Sequence, residues 1–216
     1  MSDKSGVSSG ALSLPSGGGS LEGAGGKFQA RQQTGAGEYS LSLQVPSGRR
    51  GLTPQLALTY STGNGNSEFG HGWTLGSPAI SRETNTGVPE YAGEDTFVLS
   101  DGQKLVPVDE RTTDDGTTVV RYRPRTEGEF PRIERHLSPR TDHWELQDTD
   151  GTVRRFGTPG RRGADPAAVA DPDDRTRVFS WRLSETEDTF GNRIEYEYRR
   201  DSGDTDDHYW DQLYLD

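Results

Sequence analysis

The sequence predicts an all-β fold built of short antiparallel strands and hairpins. Apolar and polar residues alternate along several short segments, which is the period of a strand that buries one face. Asp-Gly and Gly-Asn pairs separate these segments, where a hairpin needs residues that tolerate positive φ. No stretch shows the apolar spacing of an amphipathic helix. We therefore expect eight to ten strands and no helix.

The first predicted strands lie at 39–45 and 56–60, where every second residue is apolar. The Gly/Asn-rich loop 63–66 accepts positive φ and predicts a tight reversal after the second strand. A Phe-Gly-x-Gly-Trp turn follows, in which two glycines let the backbone come close to a large aromatic side chain. The candidate structural anchors of this region are Phe69, Gly70, Gly72 and Trp73.

Further along the chain, three hairpins are predicted at 97–108, 144–156 and 179–198, with single strands at 119–122 and 133–137. The Pro/Asp/Arg-rich segment 157–175 has no apolar periodicity and is expected to be a loop. The segment 208–216 has the composition of a strand but no visible partner, so we expect an exposed edge and more protein beyond it. The candidate anchors here are Phe179, Trp181, Gly191, Asn192, Tyr196 and Tyr198, acting in packing and turn formation.

The sequence predicts that the chain divides into a flexible N-terminal arm and a folded domain. Residues 1–36 are rich in Gly and Ser, which predicts a disordered, flexible arm. Within it, Leu12, Leu14, Leu21 and Phe28 are the main large apolar residues, and they are expected to anchor an extended arm against a surface. Residues 37–216 are expected to form one β domain.

The composition of the chain disfavours several classes of partner and of binding site. The chain has 24 basic and 35 acidic residues, a net charge of −11, which disfavours nucleic acid or an anionic membrane as partner. Without cysteine, neither a disulfide nor a thiolate metal site can form. The first ten residues do not resemble a signal peptide, so we expect synthesis in the cytoplasm and secretion by a non-classical route.

No catalytic, cofactor-binding or metal-binding site is predicted. The histidines at 71, 136, 143 and 208 lack a close metal-ligand spacing. The four tryptophans could line a carbohydrate-binding face, but each falls in an alternating strand or a glycine turn, where aromatic residues usually fill the core. If Trp73 is buried, its replacement by alanine should cost about 3–5 kcal/mol.

The string PQLALTYSTGNGNSEFGHGWTLGSPAISR at 54–82 resembles the N-terminal domain of SpvB-type proteins, a family that includes the B component of tripartite Tc insecticidal toxins. The similarity continues upstream in the Leu-Pro-x-Gly-Gly-Gly and Gly-x-Gly-x-Lys-Phe pattern of 14–28. Downstream, further matching segments follow in order at 95–100, 122–125, 130–135, 144, 171–172, 179–181 and 191–198. The similarity thus extends over nearly the whole chain.

The resemblance implies a structural, non-enzymatic role in a virulence toxin. In Tc toxins the B component joins the C component in a hollow β-shell that encloses a toxic polypeptide, and a β-propeller in B docks on the A channel. This chain would supply the first part of the shell wall. Its partners would be the rest of the B-type shell and a C-type toxin component, with an A-type channel component contacted only indirectly. The hairpins at 144–156 and 181–198 are similar to the tyrosine/aspartate (YD) repeats of such shells and of Rhs proteins.

Two other functions remain as alternatives. An autonomous β-sandwich could bind a glycan or a protein, at the cell surface or carried by an injection apparatus. A mono-ADP-ribosyltransferase, as at the end of some SpvB-type proteins, would need an Arg, a Ser-Thr-Ser and a Glu-x-Glu motif. Arg50, Ser61-Thr62 and Glu195/Glu197 follow that order, but Gly63 stands where the second Ser is required. In a strand the two glutamates would share the solvated face.

Overall fold

A computed structural model describes residues 27–30, 37–63, 65–67, 69–85, 87–93, 95–125, 131–205 and 208–216. In this part of the chain β-strands dominate and the only helical element is a 3₁₀ turn at Arg49–Gly51, so the predicted all-β fold is confirmed. The strands number eighteen, more than the eight to ten expected, because several are ladders of two to four residues. Such short ladders are too brief to produce an alternating pattern in the sequence.

The strands are β1 (Lys27–Ala30), β2 (Gly37–Ser42), β3 (Ala57–Ser61), β4 (Asn66–Ser67), β5 (Gly70–His71), β6 (Trp73–Leu75), β7 (Ala79–Arg82), β8 (Phe97–Leu99), β9 (Lys104–Thr112), β10 (Thr118–Pro124), β11 (Arg132–Leu137), β12 (Asp142–Gln147), β13 (Val153–Phe156), β14 (Ala168–Ala170), β15 (Val178–Glu187), β16 (Arg193–Glu195), β17 (Tyr198–Thr205) and β18 (His208–Leu215).

Strands β7 to β13 follow one another as an antiparallel meander, and β15 closes them into an eight-stranded barrel. The first half of β15 pairs with β7, where Ser180 lies opposite Ser81. Its second half pairs with β13, where Glu187 lies opposite Val153. Closure removes both edges of the sheet and encloses a single core. The short strands β14 and β16 add to the two ends of β15.

Two smaller units accompany the barrel. Strands β1, β2, β3 and β6 form the small sheet, in that order, with Tyr39, Tyr60 and Trp73 aligned across three strands. Strands β17 and β18 form a separate antiparallel hairpin. β1 lies inside the range 1–36 that was expected to be an arm; the rest of that range, with Leu12, Leu14 and Leu21, lies outside the described residues.

The structure differs from the predicted elements in three places. The supposed loop 157–175 contains β14, whose apolar run Ala168–Ala170 is too short to show a period. The strand expected over 194–198 is divided in two: β16 ends at Glu195, although the N–H of Tyr196 still donates to the carbonyl of Ser184 in β15 at 2.9 Å, and β17 begins at Tyr198. Finally, the segment from His208 has a partner: β17, an arginine- and aspartate-rich strand with no apolar alternation to reveal it.

The predicted hairpins at 144–156 and 179–198 turn through the same kind of loop. In the first, the N–H of Gly151 donates to the carbonyl of Asp148 at 3.0 Å. In the second, the N–H of Gly191 donates to the carbonyl of Asp188, also at 3.0 Å. Both glycines have positive φ, +86° and +77°, as the last residue of a three-residue hairpin loop requires. The two loops touch, since a Cβ on Gly151 would lie 2.5 Å from Cγ2 of Thr189.

Alanine substitutions at these two glycines should therefore differ in cost. At Gly191 nothing lies within 4 Å of the added Cβ, so only the left-handed backbone penalty of about 1–2 kcal/mol applies. At Gly151 the same penalty applies and the methyl group of Thr189 must also move, so Gly151→Ala should cost more than Gly191→Ala. Urea denaturation of the two variants measures the difference.

Thr189→Ser supplies the control because it removes Cγ2 alone. In that background, Gly151→Ala and Gly191→Ala should have equal costs. If they differ as much as before, the contact between the two loops does not explain the excess.

Candidate functional site

Four aromatic rings pack together at the centre of the barrel. The ring centroid of Trp144 lies 4.9 Å from that of Phe97, 4.8 Å from Tyr122 and 5.8 Å from Trp181, mostly in edge-to-face contact. Trp144 and Trp181 are both fully buried. The indole N–H of Trp181 donates to the carbonyl of Asp142 at 2.9 Å, which fixes the ring and satisfies its polar atom.

Two arginines share this interior with the rings. Arg135 donates two hydrogen bonds, each of 2.9 Å, to the two carboxylate oxygens of Asp142. Arg82 donates to the carbonyl of Val178 at 2.8 Å and to Oδ2 of Asp95 at 2.5 Å. The guanidinium carbon of Arg135 also lies 5.0 Å from the rings of both Phe97 and Trp181, within cation–π distance. These aromatic rings are therefore already in contact with a cation of the protein itself, the guanidinium of Arg135.

The charges in the barrel depend on one another. Burial lowers the pKa of Arg82, and the positive charge of Arg135 lowers it further, while Asp95 and Asp142 oppose the shift. Burial also raises the pKa of Tyr122. Because each guanidinium is held by a carboxylate, two cations can occupy one apolar interior. This arrangement contributes to the packing of the core, because its charged groups are paired with one another.

In the small sheet, the ring centroid of Trp73 lies 5.3 Å from that of Tyr60 and 6.2 Å from that of Tyr39. Trp73 is only half-buried, and Phe69 is 43% exposed. Gly70 lies in β5 with nothing near a built Cβ, whereas at Gly72 a Cβ would come within 2.5 Å of the Tyr60 ring. Trp73 therefore packs against the rings of Tyr39 and Tyr60, and Gly72, which precedes β6, lies directly against the Tyr60 ring.

The remaining candidate anchors lie in β15, in the turn between β15 and β16, and at or just before the start of β17. Trp181 belongs to the barrel core, and the half-buried Tyr196 packs against that core. The hydroxyl of Tyr198 donates to the carbonyl of Leu183 at 2.8 Å. Asn192 lies in the turn beside Gly191, where its side-chain N–H donates to Asp188 at 2.7 Å. Phe179 is half-buried in β15. The proposed anchors are therefore distributed over several sites.

The residues of the transferase alternative lie on different elements. Glu195 and Glu197 line an open pocket of about 410 Å³ together with Arg155 and Arg193. Ser61 belongs to β3 of the small sheet. Arg50 lies in the 3₁₀ turn, with its guanidinium carbon 4.1 Å from the ring centroid of Phe190.

Two histidines stack on the outer face of the barrel, where His143 is only 7% exposed, a contact that the sequence did not reveal. The rings of His136 and His143 face each other across β11 and β12 at 4.8 Å. His143 Nδ1 lies 2.7 Å from the hydroxyl of Thr141, and His136 Nε2 lies 3.8 Å from a carboxylate oxygen of Glu145. Among the described residues, no three His, Asp or Glu side chains are grouped so that they could hold a metal ion.

Burial lowers the pKa of His143 from 6.5 to about 4, and the charge of His136 lowers it further. Glu145 and Asp142 oppose this shift, and Arg155 supports it. In the unfolded chain the His143 side chain therefore binds a proton below about pH 6.5, whereas in the folded protein it binds one only below about pH 4. The free energy of unfolding should fall as the pH drops through this window, by up to about 3 kcal/mol.

Chemical denaturation at pH 7, 5.5 and 4 measures this loss, with His143→Gln as the control that cannot titrate. The variant should lose less stability between pH 6.5 and 4 than the parent. Glu134 contributes equally to the pH dependence of both proteins, so its effect cancels in this comparison. Burial would raise its pKa, but hydrogen bonds from Arg111 and Arg132 outweigh burial and lower it from 4.5 to about 2. An identical pH dependence in the two proteins would contradict the assignment to His143.

A groove of about 680 Å³ opens between the small sheet, the barrel and the β17–β18 hairpin. One wall is the link from β6 to β7, and the opposite wall comes from β15 and β18. Its apolar lining includes Leu75, Val169, Phe179 and Leu213, and its polar lining includes Arg182 and Asp211. Its lining has both apolar and hydrogen-bonding groups.

Comparison with known proteins identifies the family. The sequence profile of the family described as "Salmonella virulence plasmid 65kDa B protein" (SpvB) matches residues 31–212. The chain belongs to the SpvB family. Among its relatives, the mono(ADP-ribosyl)transferase SpvB of Salmonella choleraesuis is 34% identical over 90% of this chain, and that of Salmonella typhimurium is 34% identical over 83%.

Solved structures give the same family and fold. The crystal structure of TcdB2-TccC3 matches 97% of this chain at 31% identity, with a TM-score of 0.73. The Photorhabdus luminescens Tc holotoxin pore matches 90% at 34% identity, also with a TM-score of 0.73. The N-terminal domain of the effector SpvB from Salmonella typhimurium matches 80% at 30% identity, with a TM-score of 0.65.

This SpvB-family chain spans about a third of its curated relatives, 34% and 33% of their lengths. It spans 11% of the TcdB2-TccC3 chain and 61% of the SpvB N-terminal domain structure. The match therefore falls on the N-terminal domain of SpvB. Among the described residues, no helical segment has the length and hydrophobicity needed to cross a bilayer.

Proposed function

We propose that this chain forms the first part of the wall of a hollow β-shell in a toxin-complex B-type component, and that it has no catalytic role itself. The observation that carries the proposal is the match to TcdB2-TccC3, which extends over 97% of this chain with a TM-score of 0.73. Its partners are the remainder of the B-type shell and a C-type toxin component. An A-type channel component is contacted only indirectly, and no nucleic acid or membrane is bound.

The construction of the barrel supports a wall element. Its interior is filled by rings and by arginines paired with carboxylates, so there is little space inside for a substrate. The outer face carries ion pairs instead: Arg155 donates to Glu145 at 3.0 Å and to Glu187 at 3.1 Å, and also pairs with Glu185. A charged outer face suits a wall that is wet on at least one side.

The proposed location follows from the same role. We infer that the chain is made in the cytoplasm and leaves the cell by a non-classical route. The effector and holotoxin descriptions of the relatives support secretion. A transferase role is not proposed, because the chain matches the N-terminal domain of SpvB and Glu195 and Glu197 lie on the surface of this domain.

A domain exchange tests the proposal. In TcdB2, the segment matched by this chain is replaced by the chain itself, and the chimera is expressed with TccC3. The chimera should co-purify with TccC3 and protect the enclosed polypeptide from added protease. A matched chimera carrying Trp181→Ala should lose this protection. A chimera that is soluble and folded but fails to retain TccC3 would contradict the shell role.

The closed barrel favours a second candidate, an autonomous binding module, because a sheet without edges can fold alone. Limited proteolysis of residues 1–216 with mass measurement tests it. A resistant core from about residue 37 to 198 indicates independent folding, and titration with glycans while following tryptophan fluorescence then tests binding. Rapid digestion throughout would contradict independent folding and leave only the shell role.

A further inference from the structure

The barrel is closed, but its strands are unequal in length, and β9 extends past its neighbour β8. β8 pairs with β9 only at Lys104 and Leu105. β9 continues to Thr112, and within the described part of the chain its residues from Val106 onward pair with β10 alone. All seven residues of this overhang are exposed. The overhang 106–112 is therefore an open strand edge, about 23 Å long at roughly 3.3 Å per residue.

The hydrogen bonds at the end of the β9–β10 hairpin show which backbone groups face the open edge. The N–H of Thr113 donates to the carbonyl of Thr117 at 2.9 Å, so these two residues form a hydrogen-bonded pair. Bonded and non-bonded pairs alternate along an antiparallel ladder. Counted back from this pair, Glu110 and Thr112 belong to non-bonded pairs. Their N–H and carbonyl groups therefore point away from β10, towards the open edge.

Pro107 limits where a strand can be added to this edge. It lies opposite Tyr122 in β10 and has no N–H to offer. Val108, which has no residue opposite it in β10, forms a β-bulge beside the proline. Proline and bulges are devices that block strand addition at a sheet edge. The part of the overhang that can accept a strand is thus 108–112, which presents the backbone groups of Glu110 and Thr112.

The charges that this edge offers to a partner are negative. Arg111 is already paired with a glutamate of β11, and Asp109 is paired with an arginine of β10. Glu110 in the strand and Asp114 in the turn that follows are both exposed. Neither side chain forms a hydrogen bond or an ion pair with the described residues. Two carboxylates are therefore left for a partner, and no cation.

A second copy of this edge does not fit. Two copies related by a two-fold axis would pair antiparallel, with Glu110 or Thr112 in each bonded pair. Glu110 opposite its own copy joins two carboxylates. Glu110 opposite Thr112 places the two copies of Arg111 face to face, and Thr112 opposite its own copy places Glu110 against Asp114. Like charges directly opposite destabilise a sheet, and each chain already carries a net charge of −11. The edge thus favours a partner of positive charge.

We propose that the open edge of β9 at 108–112 binds an extended, basic polypeptide segment as an additional strand. The backbone of the segment bonds the N–H and carbonyl groups of Glu110 and Thr112. Its Lys or Arg side chains lie opposite Glu110 and near Asp114, and aliphatic side chains between them cover Val108, which is 44% exposed. This inference does not rest on the shell role, because strand addition uses only the edge of β9.

Fluorescence anisotropy with the full 216-residue chain tests the proposal. The probe is a fluorescein-labelled peptide, Lys-Val-Lys-Val-Lys-Val, and two N-methylated forms of it are the matched controls. In a bonded pair opposite Glu110, the N–H of a lysine faces the edge, so methylation of the three lysine nitrogens should weaken binding at least about tenfold. Methylation of the three valine nitrogens should leave binding nearly unchanged.

Both methylated peptides keep every charge, so their comparison separates strand addition from simple attraction to an acidic protein. Equal affinities for the two forms would overturn the proposal. Failure of the unmodified peptide to bind would overturn it as well. A dimer in analytical ultracentrifugation that the peptide does not dissociate would also overturn it, in favour of a second copy on this edge.

Protein variants place the peptide on β9. Thr112→Pro removes one N–H from the open edge while keeping all charges and the ladder with β10, and it should weaken binding about tenfold with an unchanged circular dichroism spectrum. Glu110→Lys should weaken binding to a similar degree. Glu195→Lys makes the same change in net charge on β16, away from the edge, and should have little effect. If Glu195→Lys weakens binding as much as Glu110→Lys, the open edge is not the binding site. If Thr112→Pro fails to fold, the two methylated peptides still decide the question.

Discussion

Trp181→Ala is expected to lower the free energy of unfolding by about 3–5 kcal/mol, the range for a large aromatic residue removed from a core. Trp181 has no exposed surface, and its ring contacts the rings of Phe97 and Trp144. Its loss also leaves the carbonyl of Asp142 without the indole N–H donor. Urea or guanidinium denaturation, followed by circular dichroism, measures the change.

Two other aromatic residues provide graded controls. Phe190→Ala, at a residue that is 67% exposed, should change stability by less than about 1 kcal/mol. Trp73→Ala should fall between, at about 1–2 kcal/mol, since Trp73 is half-buried in the small sheet. A Trp181→Ala variant no less stable than Trp73→Ala would show that the barrel core is not the main source of stability.

Asp142→Asn is expected to cost about 3–5 kcal/mol, because it removes one partner of a buried ion pair. The side chains of Asp142 and Arg135 are 2% and 11% exposed. Without the carboxylate, the guanidinium of Arg135 remains in an apolar interior next to a second cation, Arg82. The midpoint of denaturation should drop accordingly at constant pH.

A double-mutant cycle separates the ion pair from its surroundings. The variant Asp142→Asn with Arg135→Met leaves no unpaired charge and should be more stable than Asp142→Asn alone. For comparison, Asp109→Asn breaks a surface pair with Arg121 whose side chains are 48% and 38% exposed, and it should cost less than about 1 kcal/mol. If the second substitution lowers the stability of Asp142→Asn further, the unpaired cation is not the source of the cost.

Local features of the fold could be predicted from the sequence, and long-range ones could not. Asp150-Gly151 and Gly191-Asn192 mark hairpins, because positive φ restricts which residues fit. Barrel closure depends on the pairing of β15 with β7, between residues 99 positions apart at Ser81 and Ser180. Alternation shows that a strand has a buried face but does not identify its partner, so closure had no signal in the sequence.

The candidate site shows the same limit. The alternation of Trp181 with polar neighbours predicts a buried position, and Trp181 lies in the core. No comparable prediction exists for Arg135, since an arginine in a strand usually faces solvent, although it occupies the same face of β11 as the buried Ile133. A cation between two apolar positions of one strand face is the signal that could have revealed it.

The order in which the barrel acquires its strands matters during synthesis. Strands β7 to β13 emerge from the ribosome in spatial order, so each can pair with its predecessor at once. The final seam must wait for β15, and until Val178–Glu187 has emerged both β7 and β13 present unpaired edges beside an exposed aromatic interior. A nascent chain paused before this strand is therefore the form of the protein most exposed to chaperones, proteases and self-association.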